Sequence, residues 1–150
     1  MHLFEKSIVI NCNAGKVFEF HSDTNNLKKI TPDFIKAEIL KIELPLKKGS
    51  IIILSVIQFG IIKTTWKIRI SEFEPDKLIT DTQEEGPFRK WIHKHCFEDL
   101  NGKTKMTDKI EYELPFGALG KAANFIFVKK ILEKQFRYRH KATKEYLEKI

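Results

Sequence analysis

The chain has 150 residues, with 27 Lys+Arg against 20 Asp+Glu, a net charge of +7 and 42% hydrophobic residues, which suits one domain over 1–150 and excludes disordered or collagen-like chains. Two cysteines, Cys12 and Cys96, are too few for a disulfide framework and form no CxxC. The longest apolar stretch, Ile51–Ile62, is broken by Ser55, Gln58 and Gly60 and is too short to cross a bilayer, and the first residues, Met-His-Leu-Phe-Glu-Lys, do not read as a signal peptide, so a cytoplasmic protein is expected.

Residues 2–11 read as a strand, with Leu3, Ile8, Val9 and Ile10 closely spaced. Asn13-Ala-Gly breaks it. Lys16–Ser22 predicts a short helix, and Asp23 or Thr24 caps a second one that ends at Ile30, before Thr31-Pro32. Six strands follow: Ile35–Ile42, Ser50–Gln58, Ile61–Phe73, Leu78–Gln83, Phe88–Glu98 and Lys103–Leu114. Turn signals at Lys48-Gly49, Phe59-Gly60, Glu74-Pro75-Asp76, Glu85-Gly86-Pro87 and Asn101-Gly102 separate them. In the third, Lys63, Thr65, Lys67 and Arg69 alternate with Thr64, Trp66, Ile68 and Ile70, as in an antiparallel sheet with one wet face.

Gly120–Ile150 reads as one long helix. Phe125, Val128, Leu132, Gln135, Phe136, Arg139, Ala142 and Tyr146 share a face, and Lys130, Lys134, Arg137, Lys141 and Lys144 form a basic stripe opposite. Residues 121–150 hold nine Lys/Arg and three acids, so nearly all the net charge sits on this element. The fold class is therefore α+β: a curved seven-stranded antiparallel sheet around a long C-terminal helix, with two short helices after the first strand.

The last hairpin is readable in register. A two-residue type I′ loop at Asn101-Gly102 sets His95 opposite Asp108, His93 opposite Ile110 and Trp91 opposite Tyr112, all on the inner face. Lys90, Lys94, Lys105, Lys109, Glu111 and Glu113 take the outer face. Arg139, on the helix's apolar side, needs an anionic partner or water, and Asp108 is the expected one. The reading is a cluster of Arg139, Asp108 and His95, flanked by His93 and Tyr112. It either pins helix to sheet or lines a pocket in which it orients a carbonyl, hydroxyl or carboxylate. A metal held by His93, His95 and Asp108 is disfavoured, because an adjacent Arg repels cations. Cys96 alternates away from both histidines, so no Cys-His pair is expected.

Three stretches carry a resemblance: Gly86-Pro-Phe-Arg-Lys-Trp-Ile-His-Lys-His-Cys-Phe, Met106-Thr-Asp-Lys-Ile-Glu-Tyr-Glu-Leu-Pro-Phe-Gly and Phe136-Arg-Tyr-Arg. With the element order, they resemble the START-like or SRPBCC superfamily, the helix-grip fold of polyketide cyclases/dehydrases and birch-pollen-type allergens. The likeness is to its small stand-alone bacterial members. It implies a cavity between sheet and helix for an apolar molecule, and no cofactor.

The expected ligand wall is Trp66, Trp91, His93, His95, Asp108, Tyr112, Phe116, Phe125, Val128, Leu132, Phe136 and Arg139. Non-catalytic binding, for transport or sensing, is the leading reading. The first alternative is a cyclase/dehydrase-like enzyme using His95, Asp108 and Tyr112 as an acid/base set. The second is a ribosome- or membrane-interacting module using the basic stripe; nucleic acid is the less favoured partner because only Tyr138 lies near the stripe. Gly117 and Gly120 are expected to let the loop after Leu114 open over the cavity, and a monomer or weak homodimer is expected.

Overall fold

The computed structural model describes residues 1–149; the predicted helix's last residue, Ile150, lies outside them. β1 (His2–Ile10) leads into α1 (Ala14–Ser22), whose N-terminus is capped by the Asn13 side chain accepting from the Lys16 amide at 2.9 Å. Asp23 caps the following 3-10 helix, Thr24–Ile30, in the same way. Then come β2 (Ile35–Ile42), β3 (Ile51–Gln58), β4 (Ile62–Glu74), β5 (Leu78–Glu85), β6 (Lys90–Asp99) and β7 (Thr104–Glu113). The strand limits fall within two residues of the predicted ones. A helical run closes the chain: α2 (Gly117–Ala123), a π-helical turn (Asn124–Val128) and α3 (Lys129–Glu148). It starts at Gly117, three residues before the predicted Gly120.

The seven strands form one antiparallel sheet in the order β1-β7-β6-β5-β4-β3-β2. β2 to β7 are a meander, and β1 adds to the outer edge of β7. The β6–β7 turn takes the predicted geometry: Asn101 and Gly102 both have positive φ, 56° and 96°, and the Leu100 amide donates to the Lys103 carbonyl at 2.8 Å. The register follows, with His95 opposite Asp108, His93 opposite Ile110 and Trp91 opposite Tyr112.

The buried face of α3 carries Leu132, Phe136, His140, Thr143 and Leu147, spaced by four, four, three and four. This stripe is turned about 60° on an ideal wheel from the predicted one. The predicted face was phased on Val128, which is itself only partly buried, so it took in Gln135, Ala142 and Tyr146 on one side and stopped short of His140 on the other. Phe125, expected inside, is 82% exposed, as is Phe116.

Two apolar clusters fill the interior. One gathers Ile10, Phe18, Phe20, Phe97, Met106 and Leu147, among others. The other gathers Phe4, Trp91, Ile110, Tyr112, Leu132 and Phe136. Between them, at one level of β6, β7 and α3, lies a polar layer: His93 and His95 separate Trp91 from Phe97, Asp108 separates Met106 from Ile110, and His140 separates Phe136 from Leu147.

Candidate functional site

Alternation on β6 and β7 aims His93, His95 and Asp108 inward, and the α3 stripe lowers His140 onto them from above. Asp108 is almost fully buried. It accepts from His93 Nε2 at 2.7 Å on one oxygen and from His140 Nε2 on the other. His95 lies between two carboxylates, with Nε2 donating to Asp81 at 2.9 Å and Nδ1 2.9 Å from Asp108. The Nδ1 contact is an ion-pair approach, not an aligned hydrogen bond.

The protonation pattern follows from this geometry. Burial opposes charge on His95, but Asp81 and Asp108 outweigh it and hold the imidazole up at about 9. Burial and the His95 charge push His93 down to about 4 despite Asp108. His21 on α1 is driven down to about 3 by burial and then by His95; its Nδ1 donates to the Val17 carbonyl. Burial would raise Asp108, yet hydrogen bonds from His140 and His93, with the His95 ring close by, hold it well below the ordinary carboxylate value. Asp81 is lowered against burial by His95. The resulting state pairs one imidazolium with two carboxylates, and the second positive charge nearby is Arg139.

Arg139 does not reach Asp108. Among the described residues it forms no ion pair; its guanidinium carbon lies 5.0 Å from the Phe136 ring centre. The predicted Arg139–Asp108 pair is therefore corrected. His140, a residue the sequence reading passed over, takes the carboxylate oxygen instead. Tyr112 is also removed from the cluster. Its hydroxyl donates to the Asn124 side-chain oxygen in the π-turn, and Asn124 contacts His2 at 3.1 Å.

Arg139 stands at the junction of two cavities. One, of about 110 Å³, lies under the short helices and is walled by Phe20, Leu27, Ile30, Ile52, Leu54 and Ile70, with His21, Asp81 and His95 at its polar side. The other, of about 170 Å³, runs along the sheet past Leu54, Val56, Trp66, Trp91 and His93. They share Leu27, Leu54, Ile68, Asp81 and Arg139. A third lobe of about 160 Å³ continues outward past Trp66, Phe88, Val128, Ile131 and Leu132, sharing Trp66 and Gln135 with the second.

Of the twelve predicted wall residues, Trp66, Trp91, His93, His95, Val128, Leu132 and Arg139 face these lobes. Asp108, Tyr112 and Phe136 are buried but line none of the three, and Phe116 and Phe125 point outward. The sequence reading missed His21, Asp81 and His140. Asp81, on β5, pairs with His93 on β6, across a Glu85-Gly86-Pro87 turn that does not fix the register from sequence. The donor atoms of Asp81, His93 and His95 lie within 4.8 Å of one another, the spacing a cation needs. A cation there would displace the His95 proton and face Arg139. On the outer stripe, Lys130, Lys134, Arg137 and Lys141 are exposed, while Lys144 donates to the Val9 carbonyl at 2.9 Å. No described helix is long and apolar enough to cross a membrane.

A family model described as polyketide cyclase/dehydrase and lipid transport matches residues 10–139. Among solved structures, an aromatase/cyclase from Streptomyces sp. R1128 is similar at a TM-score of 0.77 and 17% identity, covering 98% of this chain and 93% of that one. A START superfamily protein from Mycobacterium smegmatis is similar at 0.76 and 18%, covering 99% of each chain. A protein from Thermus thermophilus is similar at 0.78 and 16%, covering 97% of each. At these identities the likeness shows the fold. No curated protein matches the chain.

Proposed function

The chain belongs to the polyketide cyclase/dehydrase and lipid transport family, within the START/SRPBCC superfamily, and on that premise we propose that it binds a small apolar molecule carrying a hydrogen-bond-accepting head, without transforming it. In this reading residues 1–150 act as one cytoplasmic helix-grip domain, monomeric or weakly dimeric. The observation that carries it is Arg139: a half-buried guanidinium with no ion-pair partner among the described residues, between two apolar lobes. A guanidinium offers five donors and accepts nothing, so the missing group is an acceptor such as a carboxylate or carbonyl oxygen. Trp66, Trp91, Val128 and Leu132 would enclose the apolar body, and His95 would stand beside the head.

The cyclase/dehydrase alternative needs His95, Asp108 and Tyr112 at one substrate. Tyr112 is engaged by Asn124, and both oxygens of Asp108 accept from histidines. Of the three only His95 lines a lobe, and it already bridges two carboxylates. Binding without turnover fits this arrangement better.

The test compares decanoate with decylamine by calorimetry on the wild type and on Arg139→Gln. Decanoate is expected to bind at least about tenfold tighter than decylamine, and Arg139→Gln to abolish most of that preference. Equal affinities in the wild type, or an unchanged preference in the variant, would overturn the role given to Arg139.

A further inference from the structure

Five large apolar side chains of the segment leading into α3 lie bare. Besides Phe116 and Phe125, Leu119 is 77% and Phe127 62% exposed, and Ile126 is exposed as well. Across the outer lobe, the turn between β3 and β4 presents Phe59, Ile61, 83% exposed, and Ile62. The two groups flank one opening. Ile62 and Val128 wall the same lobe, Phe34 stacks on Phe59 at 5.5 Å, and the Lys134 ammonium lies 4.8 Å from the Phe34 ring centre. Soluble proteins seldom leave so much contiguous apolar surface uncovered unless something binds there.

Charge decides among the occupants. Residues 114–132 contain Lys121, Lys129 and Lys130 and no acid. The β3–β4 turn, residues 58–65, carries Lys63 and again no acid. A second copy of the chain would set these cations against their own kind. An anionic bilayer surface complements both features: apolar side chains enter the boundary between headgroups and acyl chains, and lysines on flexible stems reach the phosphates.

We propose that the segment Phe116–Val128 and the β3–β4 turn form a docking face for an anionic lipid surface, with the mouth of the outer lobe turned toward the bilayer. This goes beyond the ligand-binding reading and does not depend on it, because docking is measured without cargo. Failure of either leaves the other standing.

Flotation with phosphatidylcholine vesicles, with and without phosphatidylglycerol, tests it. The wild type is expected to bind the phosphatidylglycerol vesicles and to lose binding as salt rises. Phe125→Ser/Phe127→Ser and Lys129→Glu/Lys130→Glu are each expected to weaken binding by about tenfold or more, with unchanged melting temperature. Leu44→Ser, at the opposite end of β3, serves as the control and is expected to bind like the wild type. The proposal is overturned by absence of vesicle binding, by equal binding to both vesicle types, or by equal loss in the Leu44→Ser control. A salt-independent dimer that Phe125→Ser/Phe127→Ser dissociates, without vesicle binding, would assign the face to self-association instead.

Discussion

The two ends of the C-terminal helical run meet the rest of the molecule in opposite ways. From Leu132 to Leu147 one residue in every three or four is buried, and the stripe presses on both apolar clusters and on the polar layer between them. From Phe116 to Phe127 the chain is at least as apolar, yet its large side chains face outward, and the buried residues are Gly120 and Asn124, the latter tied to Tyr112. Hydrophobicity alone does not carry a helix inward. A period that matches the turn does, and Phe125-Ile126-Phe127-Val128 is a block without one.

The contrast is sharpest in a pair of truncations. Phe136→Ala removes a ring packed against Phe4 and His93 and is expected to lower stability by about 3–5 kcal/mol in urea unfolding. Phe125→Ala is expected to change it by about 0.5 kcal/mol or less. Comparable losses at both sites would mean that the leading segment is packed after all.

The polar layer is the next place to press. Asp108→Asn keeps the shape but leaves one of the three histidines around it without an acceptor, and a loss of about 3 kcal/mol is expected. A near-neutral result would show the layer to be loosely coupled to the fold.

The pH dependence probes the same layer by a different route. The folded pKa of His95, about 9, stands above the ordinary 6.5, so its contribution is complete below pH 6.5 and is lost as pH rises through 9. His93 and His21 run the other way. With folded values of about 4 and about 3 they stay neutral while the unfolded chain takes up protons, so stability falls as pH drops from 6.5 toward those values. A maximum near pH 6.5 is expected, with an alkaline loss on the order of 2–3 kcal/mol. His95→Gln should remove the alkaline limb and keep the acid one; an alkaline limb that survives the substitution would place its origin elsewhere.

The smallest effect is expected at Tyr112→Phe, about 1 kcal/mol, because only the bond to Asn124 is lost while the ring stays packed. Faster amide exchange confined to 117–128 in that variant would show that Asn124 anchors the segment; an unchanged exchange pattern would show that it does not.

Much of this architecture was legible because local rules pointed the same way. Asn101-Gly102 demanded one turn type, that turn fixed the register, and the register placed His95 opposite Asp108. Helix phase was harder to read. A wheel phased on Val128 sits well off the buried stripe, so His140 was left unassigned, and it takes no account of the π-turn that holds Phe125. Arg139 was found by its position, but the helix residue that meets Asp108 was not, because a local pattern does not say which of two neighbouring side chains a single carboxylate will meet. Asp81 lies beyond a turn, Glu85-Gly86-Pro87, that does not set a register as Asn-Gly does.

β1 is the first strand of the chain and pairs with β7, the last. The hydroxyls of Ser7 and Thr107 meet across 100 residues of intervening chain. During synthesis β1 has no ladder partner until β7 emerges, and α3 then locks the seam through Lys6 to Glu133 and the Asn11 amide to Glu148. The meander from β2 to β7 assembles through short loops, whereas the β1 seam must wait for the closure of a long one. The oldest strand is thus the last sealed, and the rate of that closure sets how long an unpaired edge stays open to other chains.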